Sequence, residues 1–128
     1  MRNNLKYFLV ILPFLFAMIV DHSIICGTYG ISNSEWGSET LEIKRNGLFI
    51  RKIGGCLYDT EMTGKWEIHK DTLILETINR KDLRTMREIK VNNSIAKLLI
   101  RSDTLFHINK DDTTKTFEAD FALIRKNK

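Results

Sequence analysis

The chain has 128 residues, of which 43% are hydrophobic and 28% charged, with a net charge of +4 and a single proline. That length makes one domain with one modest core. The basic excess is mild and no RNA- or DNA-binding motif surrounds its densest run, Arg80 to Lys90, so nucleic acid is excluded as a partner.

The first residues carry Arg2 and Lys6 and no acid, and residues 7–20, YFLVILPFLFAMIV, carry no charge. A positive start followed by an apolar run of about 7–15 residues marks a secretory signal peptide. The run is 14 residues long, short of the roughly 20 needed to span a bilayer. Residues 1–25 therefore read as a signal peptide helix or lipoprotein leader, and residues 26–128 as one domain. The expected location is the periplasm, or the outer membrane as a lipoprotein. Without the leader the chain keeps 18 basic and 15 acidic residues.

Cys26 follows the apolar run in DHSIICGTYG. Three fates are open to it. Cleavage before it would allow acylation of the thiol, although Ile25 stands where a lipobox has a small residue. Cleavage after it would remove it. If retained, it could pair with Cys56, the only other cysteine, in an oxidising compartment. That bond would close a loop of roughly 30 residues and contribute about 3 kcal/mol. Lipid and disulfide exclude each other, because acylation consumes the thiol.

After Cys26 the apolar pattern has period two. Thr40 to Lys44 alternates, Asn46-Gly47 is a hairpin signal, and Leu48 to Ile53 returns. A three-residue turn with Gly47 in a bulge sets Ile43 against Phe49. It puts Leu41, Ile43, Phe49 and Ile53 on one face with Arg51 among them. Gly54-Gly55 should break the chain. A second hairpin turns at Lys70-Asp71 and opposes Ile68 to Leu73 and Trp66 to Leu75. Asn79 to Asp82 reads as a turn, and Arg84 to Val91 as a weakly alternating strand with a helix as competitor. A third hairpin turns at Ser102-Asp103, between Lys97–Arg101 and Thr104–Ile108. Phe117 to Leu123 makes a final strand. The motif I-x-x-D-T-L occurs at residues 68–73 and 100–105, as two similar entries from a turn into a strand. The expected fold is all-β: a small antiparallel up-and-down barrel or sandwich of about eight strands, preceded by the leader.

The order Gly27-Thr-Tyr29, Leu41-Glu-Ile-Lys-Arg-Asn-Gly-Leu-Phe49, Gly64-Lys-Trp66, Asp71-Thr-Leu-Ile-Leu75 and a closing Ile124-Arg125 resembles the small exported lipocalin-like β-barrel domains of Gram-negative bacteria. The resemblance covers most of residues 27–125. It implies a structural pair of Tyr29 and Arg125, in the places of the lipocalin tryptophan and arginine. Tyr29 stands for the tryptophan and the chain is short. A filled barrel interior is therefore expected rather than a roomy one.

No catalytic, phosphate-binding or dinucleotide motif is present. His69 and His107 read as surface residues, Asn109, Asp111 and Asp112 as a polar turn, and Glu61 and Glu67 as ordinary surface carboxylates. No metal or other cofactor is expected. Trp66 and Trp36 are the candidate ligand-contacting residues, with core packing the competing role for each. The expected function is a non-catalytic binding module for a small hydrophobic ligand. The alternative is a packed barrel that faces an envelope protein as inhibitor or assembly partner. A monomer is expected, with membrane attachment through Cys26 if it is acylated.

Overall fold

The computed structural model describes residues 22–31, 37–92, 94–108 and 122–126. The leader expected over residues 1–25, up to residue 21, together with Trp36, the turn at 109–112 and most of the final strand expected from Phe117, lies outside them. A short 3₁₀ turn, His22–Ile24, precedes nine strands. These are β1 (Gly27–Gly30), β2 (Gly37–Ile43), β3 (Leu48–Gly55), β4 (Asp59–His69), β5 (Thr72–Asp82), β6 (Arg87–Ile89), β7 (Ser94–Arg101), β8 (Thr104–His107) and β9 (Ala122–Arg125).

Every pairing among the described residues is antiparallel, and strands adjacent in sequence pair with each other except β6 and β7, which both pair with β5. Eight strands close into an up-and-down barrel when β9 pairs with β1, setting Tyr29 opposite Arg125 and Gly30 opposite Ile124. Closure leaves no long edge unpaired among the described strands. β5 pairs with β4 along one edge and is long enough to serve two neighbours along the other. Its first half pairs with β7, and its last residues pair with β6, which forms a short flap outside the ring.

The turns follow local chemistry. Ile43 opposes Phe49 across a three-residue loop, with Gly47 at φ 81° and the Lys44 N–H on the Leu48 carbonyl. The hairpins at Lys70-Asp71 and Ser102-Asp103 are two-residue turns with matching geometry, Lys70 at φ 57° and Ser102 at φ 54°. The shared I-x-x-D-T-L motif thus has one structural meaning. In both turns the aspartate carbonyl accepts a backbone N–H from the next strand, from Ile100 or Arg125. In both, its carboxylate pairs with an arginine on that strand, Arg101 or Arg125.

Three local expectations are corrected. Gly54-Gly55 does not break the chain: β3 runs through both, and the break falls at residues 56–58. Asn79 to Asp82 is strand, because a bulge at Ile78 lets β4 and β5 stay paired to Thr60–Asp82. Only Arg87–Ile89 of the strand expected from Arg84 forms, since Asp82 accepts the N–H groups of Arg84 and Thr85 and holds them in a turn.

The interior is filled at mid-height by Tyr29, Leu41, Phe49, Leu73, Leu75, Leu98, Leu105 and Leu123, each no more than 1% exposed. Gly64 sits at the bulge, where a Cβ would lie 1.9 Å from the Glu76 carbonyl oxygen and 2.9 Å from the Phe49 ring. The two ends of the barrel differ. One, the turn end, carries the three tight turns and the segment His22–Cys26. The other, the loop end, carries the longer connections. Ile25 is 6% exposed and belongs to the core. Part of the segment assigned to the leader is therefore packed inside the domain.

Candidate functional site

Each strand alternates between interior and exterior, so the residue two places beyond a core leucine also faces inward. Toward the loop end this rule delivers polar side chains. Glu39 lies two before Leu41 on β2, Arg51 two after Phe49 on β3, His107 two after Leu105 on β8, and Thr77 two after Leu75 on β5. Glu39, Thr60 and Thr77 are buried, and Arg51 and His107 partly so.

Three of these residues form one cluster. Arg51 Nε donates to Glu39 Oε1 at 2.6 Å, and His107 Nε2 lies 3.5 Å from the same oxygen. The side chains of Glu39 and Arg51 are only 10% and 15% exposed. Burial pushes the Glu39 carboxyl up, but the hydrogen bond from His107 and the charge and hydrogen bond of Arg51 outweigh it. The net position is below the ordinary 4.5, so Glu39 is a carboxylate at neutral pH. The Arg51 fork is only partly used, and its Nη groups have no hydrogen-bond partner among the described residues. The arrangement is an ion pair set into the barrel wall above an apolar floor that includes Leu41 and Phe49. Among the described residues no group of three His, Cys, Asp or Glu is placed to hold a metal ion.

A second cluster closes the turn end. Arg125 Nη2 donates to Tyr29 Oη at 2.9 Å, with the guanidinium carbon 5.4 Å from the centre of the Tyr29 ring. Tyr29 Oη in turn donates to the Ile25 carbonyl at 2.7 Å, and Arg125 Nη2 also bonds the Ile24 carbonyl. Burial raises the Tyr29 phenol above 10.0 despite the opposing pull of Arg125. These groups use their polar atoms to tie the incoming chain to β9, so the cluster is structural.

Of the residues singled out in the sequence, the structure brings Tyr29 and Arg125 into direct contact. It does not bring Cys26 and Cys56 together. Cys26 is partly buried at the turn end and Cys56 is exposed beyond β3 at the loop end. The eight residues of β3 separate those ends by about 20 Å, whereas a disulfide needs Cα atoms roughly 4.4–6.8 Å apart. Trp66 packs against the core, and its indole Nε1 donates to the Lys44 carbonyl at 2.8 Å. It therefore serves the β2–β3 turn and lies away from the polar cluster. His69 is at the surface beside Glu67, whereas His107 points inward. Sequence reasoning placed Arg51 on the inner face but missed Glu39 and His107. The signal was there for both: extending the Leu41/Ile43 alternation back by two residues reaches Glu39, and extending Leu105 forward by two reaches His107.

Comparison with protein-family models, with curated proteins and with solved structures finds no match to this chain.

Proposed function

We propose that this chain is an exported, non-catalytic binding module. It holds a small ligand at the loop end of the barrel, with the ligand's polar group against Arg51, Glu39 and His107. The observation that carries the reading is the buried Arg51–Glu39 pair, set above the apolar middle of the barrel and reached by a third polar side chain, His107, from β8. A few convergent polar groups over an apolar floor is the usual composition of a small-molecule site. Glu39 is held ionised by two partners, which makes it a poor proton acceptor and supports binding rather than catalysis. The apolar body expected of the ligand is shallow, because the interior below Arg51 is already filled.

Export rests on the N-terminal pattern of Arg2, Lys6 and residues 7–20. The resemblance to lipocalin-like barrels supports the binding reading, since Tyr29 and Arg125 meet where that class packs its tryptophan and arginine. Of the fates open to Cys26, survival as a thiol packed against the core is favoured, because cleavage beside it would discard Ile25.

Two of the three histidines, His69 and His107, give a local readout. Titrating the purified protein with a panel of small amphiphilic carboxylates, amines and alcohols, while following imidazole resonances by NMR, should shift His107 and leave His69 in place. Arg51→Met should abolish the response. A panel that never moves His107 overturns the proposal and leaves the packed, protein-facing barrel as the better reading.

A further inference from the structure

The loop end also carries a protruding tip built from two turns, residues 56–58 between β3 and β4 and residues 83–86 between β5 and β6. The turns are fastened to each other. Arg84 Nη2 donates to the carbonyls of Gly55 and Cys56 at 2.9 and 2.8 Å, and the Leu83 N–H donates to the Asp59 carbonyl at 2.8 Å. This fixed platform displays apolar side chains to water. Leu57 is 89% exposed, Met86 62% and Tyr58 51%. Met86 occupies a left-handed turn position, φ 57°, which glycine or asparagine fills with less strain. Neither the turn nor the core requires an exposed thioether there.

The charge around these side chains is mixed and net positive. Residues 80–90 hold five cations, Arg80, Lys81, Arg84, Arg87 and Lys90, against Asp82 and Glu88, and the neighbouring β4 adds Asp59 and Glu61, the latter paired with Lys52. Asp82 is occupied in capping the turn, and Glu88 lies across from Lys81. Arg80, Lys81, Arg87 and Lys90 make no ion pair among the described residues.

We infer that this tip docks on an anionic lipid surface, with Leu57 and Met86 entering the interface and the surrounding cations meeting the headgroups. Three features favour lipid over a protein. The apolar groups stand on projecting turn tips, a shape that suits entry into a fluid interface more than a fixed protein pocket. They are few, and they are ringed by unpaired cations. Apolar residues flanked by Lys and Arg are the usual composition of an interfacial anchor. The tip lies at the opposite end of the barrel from His22, so it meets a surface different from one that holds the N-terminal segment.

Cys56 gives a reporter within the tip itself. The full chain carrying Cys26→Ser would bear a nitroxide on Cys56 and be mixed with phosphatidylglycerol vesicles or phosphatidylcholine vesicles. Collision of the label with oxygen and with an aqueous nickel chelate would be read by electron paramagnetic resonance. This reads immersion of the tip whatever residues 7–20 do. On phosphatidylglycerol the label should gain oxygen contact and lose chelate contact, and on phosphatidylcholine it should stay aqueous. The effect should vanish at about 1 M salt, where the Debye length is roughly 3 Å. Replacing Lys81 or Arg87 by glutamine should weaken binding roughly fivefold each. Leu57→Glu with Met86→Glu, both at exposed positions, should leave the label aqueous on either vesicle. A label that stays aqueous on phosphatidylglycerol overturns the inference and assigns the tip to a protein partner. Equal immersion on both vesicles, or immersion that survives the double substitution, also overturns it.

Discussion

Replacing Ile25 tests whether the barrel begins before Cys26. Its side chain is 6% exposed within the core cluster, and its carbonyl accepts the Tyr29 hydroxyl at 2.7 Å. Ile25→Ala leaves the carbonyl in place and empties the side-chain site, so the loss combines transfer and cavity terms, about 2–5 kcal/mol. The site lies at the barrel end and can partly collapse, which favours the lower half, about 3 kcal/mol. Its neighbour Ile24 is 72% exposed, and Ile24→Ala should stay within about 0.5 kcal/mol of the parent. Urea unfolding of the full chain, followed by tryptophan fluorescence, would read the difference as a midpoint shift of roughly 1–3 M. Equal midpoints for the two variants would refute the argument that this segment is core. The same reasoning bears on processing. Cutting between Ile25 and Cys26 removes the isoleucine, the acceptor of the Tyr29 hydroxyl and the Ile24 carbonyl that Arg125 bonds. Mass spectrometry of the mature protein is therefore expected to find a terminus upstream of Ile24, and a terminus at Cys26 or Gly27 would contradict it.

Arg51→Met should destabilise the protein by about 3 kcal/mol at pH 7, because it strands the Glu39 carboxylate in the wall. Adding Glu39→Met should recover most of that loss, and a double variant as unstable as the single one would argue against the pairing. Because the folded Glu39 titrates below its ordinary 4.5, its contribution is complete above that value and is lost as pH falls through the lower, folded one. Glu39→Gln should therefore flatten the acid limb of a stability–pH profile recorded from pH 7 downwards, and an unchanged limb counts against the assignment. Gly64→Ala should cost about 3 kcal/mol or more in urea unfolding, because its Cβ would fall 1.9 Å from a backbone carbonyl of the neighbouring strand. A neutral effect would mean the β4–β5 bulge relaxes freely.

What the chain states locally is visible in its letters. Asn46-Gly47, Lys70-Asp71 and Ser102-Asp103 each bring a few neighbouring residues face to face. The pairs Ile43 with Phe49, Trp66 with Leu75 and Ile68 with Leu73 follow from counting along those hairpins. The alternation also sorts inside from outside without any knowledge of the barrel, as it does for Leu73, Leu75 and Arg51. Where β3, β4 and β5 run past their glycines and polar residues, local reasoning ends them early. Pairing with a neighbour on each side holds strand geometry that the residues alone disfavour.

Tertiary closure decided the rest. β1 meets β9 across nearly the whole domain, which places Arg125 over Tyr29 and draws Ile24 and Ile25 into the end of the barrel. The same closure gathers Glu39, Arg51 and His107 from β2, β3 and β8, although Glu39 and His107 stand far apart in sequence. It also puts Cys26 and Cys56 at opposite ends, where no spacing rule could have told them apart from a pair. Period two says which side of its strand a residue faces. Only the order and register of the strands around the ring say which other residues face it there.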